Sequence, residues 1–265
     1  MIDIKNASEI EKMRTGGKIL GEVLSQVIKA VKPGVTELEL DALAERLIRE
    51  KGGEPGFMKV PGYKHTICAC TNDVIVHGIP TDYALQKGDV ICVDCGVFYQ
   101  GFHTDMAETI LVSEDNEPQS PPYIDKVKFL EVGKRALEEA IKVAVVGNRI
   151  GHISEVIQRI VEKENGYGVL RSLIGHGVGR QLHEEPEVPG ILSGKIDKTP
   201  LLKEGMTIAI EVIYNMGSPN AAYKGTDDWT IVSEDGSLSS VFERSVLITK
   251  NGPEILTEMN GQAAI

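Results

Sequence analysis

The sequence predicts an α+β fold made of two similar halves, each a pair of helices followed by strands. Three observations predict it. The apolar pattern runs helix, helix, strands, and then helix, helix, strands again, without the strict strand–helix alternation of a parallel α/β sheet. Displacing the chain by 113 residues lays Gly34 on Gly147, Leu40 on Ile153, Leu43 on Val156, Arg46 on Arg159 and Gly53 on Gly166. Shared helical periodicity would align the apolar positions, but glycines in step at both ends point to duplication. The composition, 42 % hydrophobic and 25 % charged over 265 residues, is that of a globular chain long enough to bury a core without disulfide or zinc staples. Residues 1–265 are therefore read as a single domain with halves at about 1–117 and 123–255. Two such halves would set their antiparallel sheets side by side under helices on one face. A site at the junction would draw ligands from both.

The elements follow in order. Residues 8–32 read as a helix: Ser8 and Glu11 have capping-box spacing, and Ile10, Met13, Gly17, Leu20, Leu24 and Val27 form a stripe that Pro33-Gly34 stops. Thr36 with Glu39 opens a second helix, with Leu40, Leu43, Leu47 and Ile48 as its apolar face and Gly52-Gly53 as its end. From about Thr66 the runs TICACTNDVIV, DVICVDCGVF and HTDMAETILV are β-branched and separated by turn residues, so strands are expected. Glu117–Pro122 is a polar, Pro-rich connector. Helical pattern returns over about Ile124–Val146 and Ile150–Glu164, and strand-like runs extend from Gly166 to Ile255.

Charge and targeting narrow the function classes. There are 39 acidic against 28 basic residues, a net charge of −11, with no basic run. Such a chain is a poor binder of nucleic acid or of anionic membranes. The N-terminus lacks the basic and apolar regions of a signal peptide, and no apolar run approaches the ~18–20 residues of a membrane helix. Four cysteines are too few for a disulfide scaffold, so a soluble cytoplasmic protein with reduced thiols is expected. Cys92 and Cys95 form C-x-x-C, but inside a strand residues three apart point to opposite faces, so they neither chelate one ion nor pair easily. Cys68 and Cys70 would share a face, yet two thiols make no structural metal site. All four read as small buried hydrophobes.

The acids and histidines are more informative. In DVICVDCGVFYQGFHTDMAETILV a two-residue turn at Tyr99-Gln100 would place Asp94 opposite Asp105. On a solvated hairpin two facing carboxylates are tolerable; in apolar runs like these they need a shared proton or a cation. LIGHGVGRQLHEEPEVPG sets His176 between glycines, with His183 seven residues on. The glycines allow close backbone approach. The loop lacks the lysine of a P-loop and the spacing of a dinucleotide fingerprint. Glu211 ends the apolar run MTIAIE, and Glu243 lies inside SLSSVFERSVLIT. A carboxylate in a strand of Ile, Val and Leu is costly unless paired or metal-bound. Asp94, Asp105, His176, Glu211 and Glu243 together offer hard, oxygen-rich ligation that suits Mn, Fe(II), Co or Zn in a paired site.

With these motifs in hand, the sequence resembles a type I methionine aminopeptidase of the pita-bread fold from about Ile10 to Leu256. NDVIVHGIP, CVDCGVFYQGFHTDMAET, GHGVGRQLHEEP, KEGMTIAIE and TDDWTIVSEDGSLSSVFE carry the resemblance. It implies the short form without extensions: two pseudo-symmetric αα-β halves sharing an antiparallel sheet with helices on one face. It also implies that Asp94, Asp105, His176, Glu211 and Glu243 hold two divalent metals and that Glu211 accepts a proton from water activated between them. By the same resemblance His77 contacts the substrate near the scissile bond, His183 polarises the scissile carbonyl, and Tyr63, Cys68 and Trp229 line the methionine pocket. The implied reaction is removal of the N-terminal methionine from nascent polypeptides with a small second residue. The implied protein is a monomer whose partner is the peptide or nascent chain, with a transient ribosome contact at most, and with neither nucleic acid nor membrane as partner. Three departures are evident: Val212 stands where the family usually has Pro, Arg244 where it often has His, and EVPGILSG follows HEEP in place of an aromatic, His or Asn. Rival readings are an X-Pro aminopeptidase or prolidase, which shares the ligand order but usually carries a further N-terminal domain, and a non-catalytic pita-bread binding protein, which typically lacks some ligands.

Overall fold

The structure is a computed structural model and describes residues 2–113, 121–225 and 227–259. Asn6, not Ser8, caps the first helix. Its side chain accepts from the N–H groups of Ser8 and Glu9, and Glu9 accepts from the Asn6 N–H, so α1 runs Ala7–Ala30. The same box spacing occurs two residues earlier than expected because Lys5 is pinned, its N–H on the Gly205 carbonyl and its ammonium on Glu184. Thr36 and Glu39 form the predicted capping box of α2 (Glu37–Glu50).

The first half then continues through β1 (Glu54–Pro55), β2 (Ile67–Thr71), β3 (Val74–Val76), β4 (Val90–Tyr99) and β5 (Phe102–Leu111). Asn72, at φ +59°, separates β2 from β3. The β4–β5 turn lies at Gln100-Gly101, one residue later than expected, with Tyr99 paired to Phe102. Both turn residues have positive φ, +46° and +91°. A tight hairpin demands that geometry, and a turn at Tyr99-Gln100 would have left the glycine outside it. The register therefore pairs Asp94 with Ala107 and Asp105 with Gly96, so the two acids are not directly opposed.

The connector expected at Glu117–Pro122 lies outside the described residues up to position 120, and its last two positions, Pro121 and Pro122, already belong to α3 (Pro121–Lys142). Then come α4 (Ile150–Gln158), a π-turn over Arg159–Lys163, β6 (Gly168–Val169), β7 (Gly175–Gly177), β8 (Glu184–Val188), β9 (Thr207–Asn215), β10 (Ala221–Tyr223), β11 (Ile231–Ser233), β12 (Ser239–Thr249) and β13 (Gly252–Ile255).

One sheet runs β1-β4-β2 with β5 on β4. Another runs β13-β12-β9-β7-β8 with β6 on β9, and β10-β11-β3 form a small third. The two large sheets meet where β5 lies beside β12, as the side-by-side expectation required, but no backbone ladder joins those two strands. Alternation decides what each face carries. Ile91, Val93, Cys95 and Val97 of β4 pack with the apolar faces of α1 and α2. Ile208, Ile210, Val212, Phe242 and Val246 of β9 and β12 pack with α3 and α4. The intervening residues turn to the face away from the helices. Cys92 accordingly sits in a different apolar cluster from Cys95, and all four thiols are free and buried. Among the described residues no helix is long and apolar enough to cross a membrane.

Candidate active site

The helix-free face carries two adjacent rows of side chains across β4, β5, β12 and β9. Asp94 pairs with Ala107, and Glu243 pairs with Glu211. One residue pair further along the pleat, Gly96 pairs with Asp105, Ser245 with Ala209, and Ala209 with His176 of β7. Hydrogen bonds between Asp105 and Ser245 and between Thr109 and Val241 bring the halves into register, so Ala107 lies level with Glu243. Acids and histidine are thus interspersed with glycine, alanine and serine, whose small side chains leave space around the ligating groups. Asp94 and Asp105 are diagonal neighbours on one face, close enough to interact though not opposed. Glu211 lies in the middle of β9, not at its end as the apolar run MTIAIE suggested.

These groups are buried beyond what their own hydrogen bonds satisfy. Asp94 Oδ1, Asp105 Oδ1 and Glu243 Oε1 are buried without a partner. Ligand atoms of Asp105, His176 and Glu243 lie within 4.8 Å of one another. His176 Nδ1 is 2.8 Å from the Gly177 carbonyl, which fixes the proton there and leaves the Nε2 lone pair toward Glu211 Oε1, 3.4 Å away. Burial pushes the Asp94 carboxyl up to about 7. Burial, reinforced by neighbouring acids, drives Asp105, Glu211 and Glu243 well above the carboxylate range. Burial and nearby His183 press His176 down to about 3. Orphaned carboxylate oxygens beside a neutral imidazole fit a divalent cation, which would supply the missing partner and hold the acids ionised.

A cavity of about 270 Å³ opens over this cluster. The five ligands expected from the sequence are on its wall, together with His77, His183, Tyr63, Cys68 and Trp229, so all the sequence-selected side chains meet there. His77, in the loop after β3, holds φ +58°. Burial, with His183 nearby, lowers its pKa, so the ring is neutral at pH 7. His183 stacks edge-on against His176 at 4.4 Å between ring centroids. Tyr63 and Trp229 meet edge-to-face at 5.1 Å, and the Tyr63 hydroxyl donates to the Ile67 carbonyl at 2.8 Å. Phe57, Val60, Val76, Leu173, Ile174, Leu182 and Ile213 complete the apolar part of the wall. Sequence reasoning missed them because isolated apolar residues in loops and strands look like any other core residue.

The profile of metallopeptidase family M24 matches residues 11–250. The chain belongs to metallopeptidase family M24. Within M24, it is 42 % identical over 258 residues to the methionine aminopeptidase of Clostridium perfringens, covering 97 % of this chain and 99 % of that protein. Methionine aminopeptidase 1 of Bacillus subtilis is 38 % identical over 261 residues, covering 98 % of this chain and all of its own. The crystal structure of a methionine aminopeptidase from Thermotoga maritima superposes with a TM-score of 0.90 at 38 % identity over 97 % of this chain and 100 % of that one. A prolidase from Pyrococcus furiosus superposes at 0.74 with 26 % identity over 97 % of this chain but only 66 % of its own. These likenesses bear out the pita-bread fold and favour the methionine aminopeptidase relatives over the prolidase ones.

Two of the three departures noted in the sequence point away from the cavity. Val212 is buried among the helix-facing residues. The Arg244 guanidinium donates to Glu108 Oε2 at 2.7 Å, with Lys134 3.3 Å from Glu108 Oε1, on the side opposite Glu243. The EVPGILSG departure begins in β8, which pairs with the His176 strand.

Proposed function

We propose that the protein is a metal-dependent aminopeptidase that removes N-terminal methionine from polypeptides, with preference for a small second residue. The observation that carries this reading is one cavity with two chemically different walls. One wall is the buried carboxylate–imidazole cluster, and the other is the recess of Tyr63, Cys68 and Trp229. A divalent cation held there would supply Lewis-acid polarisation and lower the pKa of bound water toward 7, which makes water a competent nucleophile for an unactivated amide. Asp94, Asp105, His176, Glu211 and Glu243 would hold two such ions, with Mn, Co, Fe(II) or Zn suited to the donor set. The recess binds the thioether side chain, where sulfur–aromatic contact favours methionine over polar residues. Glu211 takes the proton of the attacking water. His183 donates to the developing oxyanion and His77 holds the substrate amide.

The reading extends to a single domain of two duplicated halves. Gly34 and Gly147, which the 113-residue displacement superposes, hold φ +89° and +92°, and the equally superposed Thr36 and Arg149 each begin an isolated bridge. It extends also to a cytoplasmic monomer acting on nascent chains with at most a transient ribosome contact. Hydrolysis of Met-Ala-Ser after chelation and re-addition of Mn or Co tests the activity. Cleavage of Met-Ala-Ser but not Ala-Pro-Ala, dependent on metal, is the expected result. Full activity after exhaustive metal removal, or preference for Ala-Pro-Ala, overturns it.

A further inference from the structure

The seam between the two large sheets is held by side chains where a continuous sheet would use its backbone. At one end the Ser245 hydroxyl of β12 accepts from the Asp105 N–H at 2.9 Å and donates to the Asp105 carbonyl at 2.8 Å. At the other end the Thr109 hydroxyl of β5 donates to the Val241 carbonyl at 2.6 Å and accepts from the Val241 N–H at 3.0 Å. Each hydroxyl replaces the pair of ladder bonds that two opposed residues would exchange. Between them Arg244 Nη1 donates to the Ala107 carbonyl at 3.1 Å and to its own neighbour's carbonyl, Glu243, at 2.7 Å. The Ser245 N–H is turned to Thr257 Oγ1 at 3.0 Å and is not available to β5. The arrangement is reciprocal: one two-fold relation exchanges Thr109 with Ser245 and Val241 with Asp105.

This seam runs through the centre of the ligand cluster. Asp105 comes from one sheet and Glu243 from the other, and both have buried, unpartnered oxygens. A direct ladder would fix the spacing of two adjacent strands by the backbone alone, near 4.8 Å. Here the spacing depends on two hydroxyls, each spliced between the strands.

We propose that Ser245 and Thr109 are positioning residues of the metal centre, setting the separation of Asp105 and Glu243 through the β5–β12 seam. The inference rests on the reading of these acids as metal ligands. Outer-shell partners of metal ligands typically carry roughly 10–100-fold of metal affinity. Ser245 grips the backbone of a ligand residue directly and should fall in that range.

Isothermal titration with Mn²⁺ on the full chain, paired with thermal melts in chelator, tests it. Ser245→Ala should weaken Mn²⁺ binding about 10-fold or more, and Ser245→Thr, which keeps the hydroxyl, should restore it. Mn²⁺ affinity equal to wild type in Ser245→Ala, with only a lowered melt, means the seam is merely structural and overturns the proposal. If Ser245→Ala does not fold, Thr109→Val carries the same comparison with Thr109→Ser as its rescue. Wild-type protein that binds no Mn²⁺ overturns the reading of the acids themselves, a result distinct from equal affinity in wild type and variant.

Discussion

Glu211 lies directly opposite Glu243 in the β9–β12 ladder. Two unit charges about 5 Å apart at an effective dielectric near 20 repel by about 3 kcal/mol, and like charges opposed across strands destabilise a sheet. Here Asp94 and Asp105 add to the same field. The arrangement is stable with protons on some of the acids or with cations among them.

The first prediction follows from that choice. In excess Mn²⁺, Glu243→Gln should lower Tm, because stabilisation linked to ligand binding is lost. In excess chelator the same variant should hold Tm at neutral pH, where the raised Glu243 already carries a proton, and raise it at higher pH, where one repelling charge is removed. Asp105→Asn should follow the same rule, since diagonal placement keeps it within reach of Asp94. Two melts per variant decide the matter: an equal fall in both conditions contradicts a shared metal site.

A second prediction concerns pH in the metal-free protein. Asp94 is raised to about 7, and Asp105, Glu211 and Glu243 are raised further, all chiefly by burial. The folded state then binds more protons than the unfolded state, so their contribution is complete below pH ~4 and is lost as pH rises through the folded values. His176, depressed to about 3, works in the opposite sense, as do His77, His103 and His183, all lowered chiefly by burial, and their contribution falls away below pH ~6.5. Above pH ~7 the histidines are neutral in both states and the carboxylates dominate. Urea midpoints in chelator should therefore fall from pH 7 to 8, while Mn²⁺ affinity rises over the same interval. A flat or rising midpoint would show that the acids are ionised without metal.

The fold was legible because its signals are local and repeated. The Thr36–Glu39 box, glycines in step at both ends of the displaced segment, and β-branched runs each act over a few residues. The hairpin register was not legible from hydrophobic pattern alone, since sliding the turn by one residue moves the cross-strand partner by two and keeps Asp94 and Asp105 on one face. Only Gly101, with its positive φ, distinguishes the two registers. Acids stood out in the candidate site because charge inside Ile and Val runs is costly. The Ser245 and Thr109 stitches were invisible, because serine and threonine in strands carry no such penalty and their partners come from the other half of the chain.

The apolar recess supports a third prediction. Trp229 meets Tyr63 edge-to-face and His77 at 6.4 Å between ring centroids. Trp229→Ala should raise KM for methionyl peptides by about 10-fold and narrow the preference over leucyl peptides, since apolar pockets discriminate single methylenes by only ~10–200-fold. Mn²⁺ binding should be unchanged. An unaltered Met-to-Leu ratio of kcat/KM would remove Trp229 from the pocket.

His183 supports the last prediction. It lines the cavity and stacks on His176. Partial burial lowers its pKa, so it is neutral at pH 7 with one N–H to donate. A neutral donor facing a carbonyl oxygen gains most when that oxygen becomes negative, so its loss should appear in kcat more than in KM. Removal of one oxyanion donor typically costs 10²–10³ in rate. His183→Ala should therefore lose kcat by about 10²–10³ with KM and Mn²⁺ stoichiometry nearly unchanged. His183→Gln, which keeps an N–H donor, should recover part of the loss. Steady-state kinetics on Met-Ala-Ser beside Mn²⁺ titration separates the roles: loss of bound Mn²⁺ together with kcat would make His183 a ligand, and a rise in KM alone would make it a substrate-binding residue with no part in stabilising the oxyanion.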